Sequence, residues 1–226
     1  MAMRSLRWVL SVGALGFMGL SSPSAARADA SAPAAPEGTT TSVLDADAVR
    51  ISSAGHSLNW TWVPPGRSEH FGHGETLIHA PLAQVRRMVL DFGKYRTLGP
   101  DIKTSQVVGR EPDGSTDVYL RIAVLNDMIS LWNVTRFAPL RKEPTGEIIE
   151  GKMIPGKGNV DDSIVKWTMH SAGDEWTVLK FDALLRPSVP APQGLIDSTL
   201  RESAVHTVES VRDQIQGTVG IQPYSG

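Results

Sequence analysis

The chain contains no cysteine. Disulfides, thiol nucleophiles, thiolate metal ligands and cysteine-linked lipid anchors are therefore all excluded. Positive charge is also short, with 22 Lys and Arg against 24 Asp and Glu. Nucleic acid and anionic lipid surfaces demand clustered positive charge, so neither suits this chain as a main partner. Beyond residue 20 no apolar run approaches the ~20 residues that a membrane-spanning helix needs. Two catalytic signatures are missing as well: no Gly-x-Ser-x-Gly elbow and no His-Glu-x-x-His helix occur. Gly151 to Gly158 nearly spells a phosphate-binding loop, but Gly158 stands where a hydroxyl should hold magnesium, and Pro155 removes an amide donor. It reads as a loop between strands, near the mouth of any cavity. What remains is ordinary for a globular domain, with 41% hydrophobic residues.

The first residues follow a different logic. Arg4 and Arg7 precede the apolar run Trp8 to Leu20, and small residues then lead to Ala26-Arg27-Ala28. Positive, apolar, small is the order of a cleaved secretory signal, assigned here to residues 1–28, which sends the protein to the periplasm or the medium. Cleavage after Ala28 removes three arginines and leaves the mature chain more acidic. Residues 29–42 are mostly Ala, Pro, Ser and Thr and suit a flexible linker. Residues 43–68 form an N-terminal extension, in which Val49, Ile51, Leu58, Trp60 and Trp62 suggest one or two short strands before Pro64-Pro65-Gly66.

From Glu69 the pattern sharpens. Glu69 to His79 reads as a strand, and Pro81 then opens a helix whose apolar face is Leu82, Val85, Met88, Val89 and Phe92. A second helical turn over 94–98 stops at Gly99-Pro100. Six further strands are predicted at 102–111, 115–124, 128–137, 147–153, 161–170 and 175–186, with turns at Pro112-Asp113-Gly114 and Ala172-Gly173-Asp174. Leu179, Phe181, Ala183 and Leu185 alternate with Lys180, Asp182 and Arg186, as half-buried antiparallel strands do, which leaves the charged set on a solvated face. The chain closes on a helix from Gln193 to Gln216, where Ile196, Leu200, Ala204, Val208, Val211 and Ile215 form one apolar stripe. Residues 218–226 are a tail.

This order of elements, carried by "HAPLAQVRRMVLDFGKYRTLGPDIKTSQVVGR" and "WTVLKFDALLRPSVPAPQGLIDSTLRESAVHTVESVRDQI", resembles the START-like superfamily, also called SRPBCC or Bet v 1-like. Both segments are similar to bacterial members of the polyketide cyclase/dehydrase or lipid-transport type. The resemblance covers residues 69–217 and implies an α+β helix-grip fold. A curved seven-stranded antiparallel sheet would wrap around the long C-terminal helix, with two short helices after the first strand and a hydrophobic cavity between.

Such a cavity would be lined by Phe92, Tyr95 and Leu98 from the short helices, by Trp132, Trp167, Phe181 and Leu185 from the strands, and by Leu200 from the terminal helix. The alternative for the aromatics is a solid core. Ser203 and Thr207 are polar at the edge and the buried side of that helix, where a hydroxyl meets a ligand or bonds back to its own helix. His70, His73 and His79 lack a third partner at metal-binding spacing, so they are read as exposed histidines, with no metal and no cofactor. Three functions fit. One is an exported carrier or sensor of a lipid, isoprenoid or polyketide-like molecule, touching membranes transiently. Another is a cyclase or dehydratase drawing on Tyr95, Asp91, Arg121 or His170, although no catalytic set is assigned and export suits it poorly. The third is an interaction protein with a filled core.

Overall fold

The computed structural model of the protein describes residues 43–124, 128–217 and 220–224. The signal and linker expected over residues 1–42 lie outside the described residues.

Among the described residues, nine antiparallel strands build one sheet: β1 (Leu58–Trp62), β2 (Phe71–Ile78), β3 (Ile102–Arg110), β4 (Thr116–Val124), β5 (Ile129–Phe137), β6 (Arg141–Glu143), β7 (Gly146–Gly158), β8 (Val160–Ser171) and β9 (Thr177–Pro187). Their spatial order is β1-β2-β9-β8-β7-β5-β4-β3, with β6 paired to β7. The seven expected strands are all present. Beyond those seven are β1, a short strand expected in the extension at Leu58, Trp60 and Trp62, and the three-residue β6. Gly151 to Gly158 is not a loop, because β7 runs through it to pair Gly158 with Asn133. Turn chemistry closes the hairpins where expected. Gly114 takes φ 86°, and the Asp113 side chain accepts the Ser115 amide at 2.8 Å.

The helices are α1 (Val43–Ala54), α2 (Leu82–Val89), a 3-10 helix (Phe92–Thr97) and α3 (Gln193–Gln216). α3 begins after Pro192 and buries Leu200, Ala204, Val208 and Val211, most of the expected stripe. Ile196 and Ile215 are only half-buried. It lies directly on β2. A Cβ at Gly72 would sit 2.3 Å from the Leu200 carbonyl oxygen, and one at Gly74 would sit 2.5 Å from the Ala204 backbone. Only glycine permits that approach of helix to strand. No helix among the described residues is long and apolar enough to cross a membrane.

The first part of the extension differs from its expectation. Val49 and Ile51 belong to α1, a helix that packs Ala48 and Ile51 against Leu77, Val178, Ala172 and Trp176 on the outer side of the sheet. β-branched residues suggested strand, but a helix aims Ala48 and Ile51 down the same side, where burial outweighs a weak propensity. Ile221 and Tyr224 from the C-terminal segment pack on the same small core, and the Tyr224 amide donates to Ser52 Oγ at 2.9 Å.

Candidate functional site

Away from β2, α3 parts from the sheet and encloses a cavity of about 100 Å³. One end is walled by Tyr95 of the 3-10 helix and by Leu98, which follows it. Leu120, Phe137, Val165, Trp167 and Phe181 form the sheet side, and Leu200, Ser203 and Thr207 the helix side. A second space of about 90 Å³ opens beside it, lined by Ile129, Leu131, Pro187, Val189 and Leu195. Leu185, Thr199 and Leu200 are walls of both. The inner chamber thus adjoins an apolar mouth between the end of β9 and the start of α3.

Of the expected lining residues, Tyr95, Leu98, Trp167, Phe181, Leu185, Leu200, Ser203 and Thr207 all line the chamber. Phe92 does not. It is buried one layer back, stacked at 4.4 Å on Phe137, which takes its place in the wall. Trp132 does not either, because it faces outward at 37% exposure beside Tyr119. The inward set of β5 is Leu131, Asn133, Thr135 and Phe137. Two polar residues occupy inward positions there and satisfy one another, Thr135 Oγ1 donating to Asn133 Oδ1 at 2.8 Å, so the tryptophan belongs to the other parity. Ser163 and Thr199 were missed. Extending the Val165, Trp167 alternation one step back reaches Ser163, and Thr199 precedes Leu200 on the helix.

Polar groups in the chamber are few. The Tyr95 hydroxyl donates to the Val89 carbonyl at 2.7 Å, and burial pushes its pKa above the usual phenol range. Thr207 Oγ1 donates to the Ser203 carbonyl at 2.7 Å, the back-bonding alternative. Trp167 is 1% exposed, and its buried indole N–H lies beside the Tyr95 hydroxyl.

Of the residues considered for acid–base work, only Tyr95 lines the chamber. Asp91 lies in a separate, polar groove of about 340 Å³ between α2, the 3-10 helix and the end of α3, paired with Lys94 at 2.8 Å. Tyr95 and Leu98 form part of both walls, so they partition groove from chamber. The groove is the larger space, but Gln84, Arg87, Lys94 and Gln214 make it a water-facing cleft. Arg121 is exposed and His170 is buried at 3%, away from the chamber lining.

The opposite face of β2 carries a buried ionic network that the sequence reading left in solvent. His73 Nδ1 pairs with Asp182 at 2.7 Å, and Trp62 Nε1 donates to the same carboxylate at 3.0 Å. Trp60 stacks on the His73 ring at 4.1 Å. Glu75, 1% exposed, receives Arg50 from α1, and Asp47 pairs with Lys180 at 2.5 Å. Asp182 and Lys180 are not a solvated face, because α1 and β1 cover it. Burial alone would lower the His73 pKa, but Asp182 and Glu75 outweigh it and raise it. Burial would raise Glu75, yet His73 and Arg50 hold it below the usual carboxylate range. His73 is thus a buried histidine held between two carboxylates, with Nε2 3.5 Å from Glu75, whereas His79 is exposed. Among the described residues, no group of three or more His, Asp and Glu is arranged to hold a metal ion.

No protein-family model matches the sequence, and no curated protein does. Solved structures do. The STAR-related lipid transfer protein from Xanthomonas axonopodis is similar at a TM-score of 0.60 and 17% identity, over 71% of this chain and 93% of that one. This chain has the START fold. Human STARD10 is similar at a TM-score of 0.56 and 11% identity, over 71% of each chain. A START superfamily protein from Mycobacterium smegmatis follows at 0.54 and 17% identity, over 65% of this chain and 97% of that one. At these identities the START likeness is one of architecture: a large antiparallel sheet gripping a long C-terminal helix.

Proposed function

We propose that this START-fold protein is an exported carrier or sensor that binds a hydrophobic small molecule between α3 and the sheet. The observation that carries the reading is the pairing of the inner chamber with an apolar mouth through Leu185, Thr199 and Leu200. Neither space is large. An apolar cavity of about 150 Å³ accommodates a guest the size of benzene, so the two spaces together suit a compact guest in this conformation. A longer lipid, isoprenoid or polyketide-like chain requires the walls at the mouth to part. Burial of its apolar surface then contributes roughly 25 cal/mol per Å² without a charged anchor. The Xanthomonas relative is a lipid-transfer protein by its name, which accords with this role. Export follows from the leader-like residues 1–28, and the exposed Val189 and Leu195 beside the mouth suit transient contact with a membrane.

The test is to express the full chain with its leader and purify the processed protein. Intact mass then locates the cleavage, and organic extraction with mass spectrometry identifies what it carries. A stoichiometric hydrophobic molecule and a start near Asp29 support the proposal. An unprocessed chain removes export from it, and an empty protein that takes up no apolar probe removes the carrier.

A further inference from the structure

The walls of the chamber contain an imbalance that bears on what enters it. Among the described residues, no Lys, Arg or His lines either the chamber or its mouth. Among the described residues the mouth has no charged side chain in its lining, and the charged residue lining the chamber is Asp101, an acid. Cations are present nearby, but Arg87 and Lys94 lie in the groove on the far side of Tyr95 and Leu98. The chamber does offer hydrogen-bonding groups. Ser163, Thr199 and Ser203 contribute hydroxyls.

We infer that the ligand is uncharged, a largely apolar molecule with a hydroxyl, carbonyl or ether oxygen, and that anionic amphiphiles such as fatty-acid carboxylates are rejected. This inference rests on the reading of the chamber as a ligand site. An ionised carboxylate brought into these walls loses its water and finds no opposite charge, while Asp101 repels it. A neutral oxygen loses less on leaving water, and a single donor compensates it. Rejection of the wrong ligand therefore comes from the missing cation, and orientation of the right one from the hydroxyls.

Isothermal titration calorimetry on the processed, delipidated protein at pH 7 compares two probes of one skeleton and a size matched to these spaces, neutral 2-naphthol and anionic 2-naphthoate. The expected result is one site per chain, with 2-naphthol bound at least about tenfold more tightly. Thr199→Lys places a cation in the wall shared by chamber and mouth, at a half-buried helix position. In that variant the affinity for 2-naphthoate rises about fivefold, while that for 2-naphthol does not. Equal affinities in the wild type, or a preference for the carboxylate, overturn the inference and leave the pocket standing. So does a folded Thr199→Lys protein with unchanged affinity for 2-naphthoate. If neither probe binds the wild type, the chamber itself is lost as a ligand site, and the inference with it.

Discussion

Along β2 the terminal helix touches the sheet backbone to backbone, whereas over β4, β8 and β9 the same helix leaves a hollow. The difference lies in side-chain size. Gly72 and Gly74 let α3 settle onto β2, while Leu120, Val165, Trp167 and Phe181 hold it off farther along the sheet. A tight contact on one side and props on the other tilt the helix and leave space that no side chain fills. The outer face of β2 makes the comparison sharper. There, under α1 and two tryptophans, paired charges are buried beside a small apolar cluster.

The largest expected effect comes from closing the tight side. Gly74→Val puts atoms into the Ala204 backbone, and a loss of about 4 kcal/mol or more is expected. Circular dichroism should show the melting temperature lowered by roughly 10 °C, or no folded protein. A normally melting variant would mean that α3 is not pinned there. Next, Val208→Asp places an unpaired carboxylate at a fully buried helix position. A destabilisation of about 3 kcal/mol is expected, and denaturant titration measures it.

The ionic face responds to pH. The raised pKa of folded His73 means that its stabilisation is complete below the unfolded value near 6.5 and is lost as pH rises through the higher folded value. Glu75 and Asp47 have lowered values, so their contributions are present above the unfolded carboxylate range and are lost as pH falls through the folded values. Melting temperatures of the wild type and of His73→Gln should therefore differ most in mild acid and converge as pH rises into the alkaline range. Parallel curves would remove His73 from the network as a charged partner.

Smaller effects test the hollow side. Ala183→Leu adds bulk to the chamber wall and should weaken binding of 2-naphthol about tenfold, with stability altered by about 1 kcal/mol. Trp132→Ala, on the outward parity of β5, should leave that affinity within about twofold. A large loss on Trp132→Ala would return the tryptophan to the site.

How far the site could be read from residues varied with the element. On β9 the alternation of Leu179, Phe181, Ala183 and Leu185 against charged neighbours was clean, and Phe181 and Leu185 took their expected places. On β5 the inward Asn133 and Thr135 broke the apolar pattern and made the outward Trp132 look interior. Parity is lost when two buried polar groups satisfy each other, because no single-residue scale registers a partner. Phe92 failed for another reason. Burial was legible, but which of two stacked rings, Phe92 or Phe137, reaches the cavity depends on a strand far along the chain.

Periodicity and turn residues sufficed for the seven principal strands, the terminal helix and the START-like order, because each is set by neighbours within a few positions. The depth of the chamber, the shelter given to His73 and Glu75, and the joining of α1 to the C-terminal segment were decided only in three dimensions. Each involves residues distant in the chain, more than a hundred positions for Gly74 and Ala204 or His73 and Asp182. Volume and electrostatic shelter belong to surfaces brought together, and no stretch of chain carries them alone.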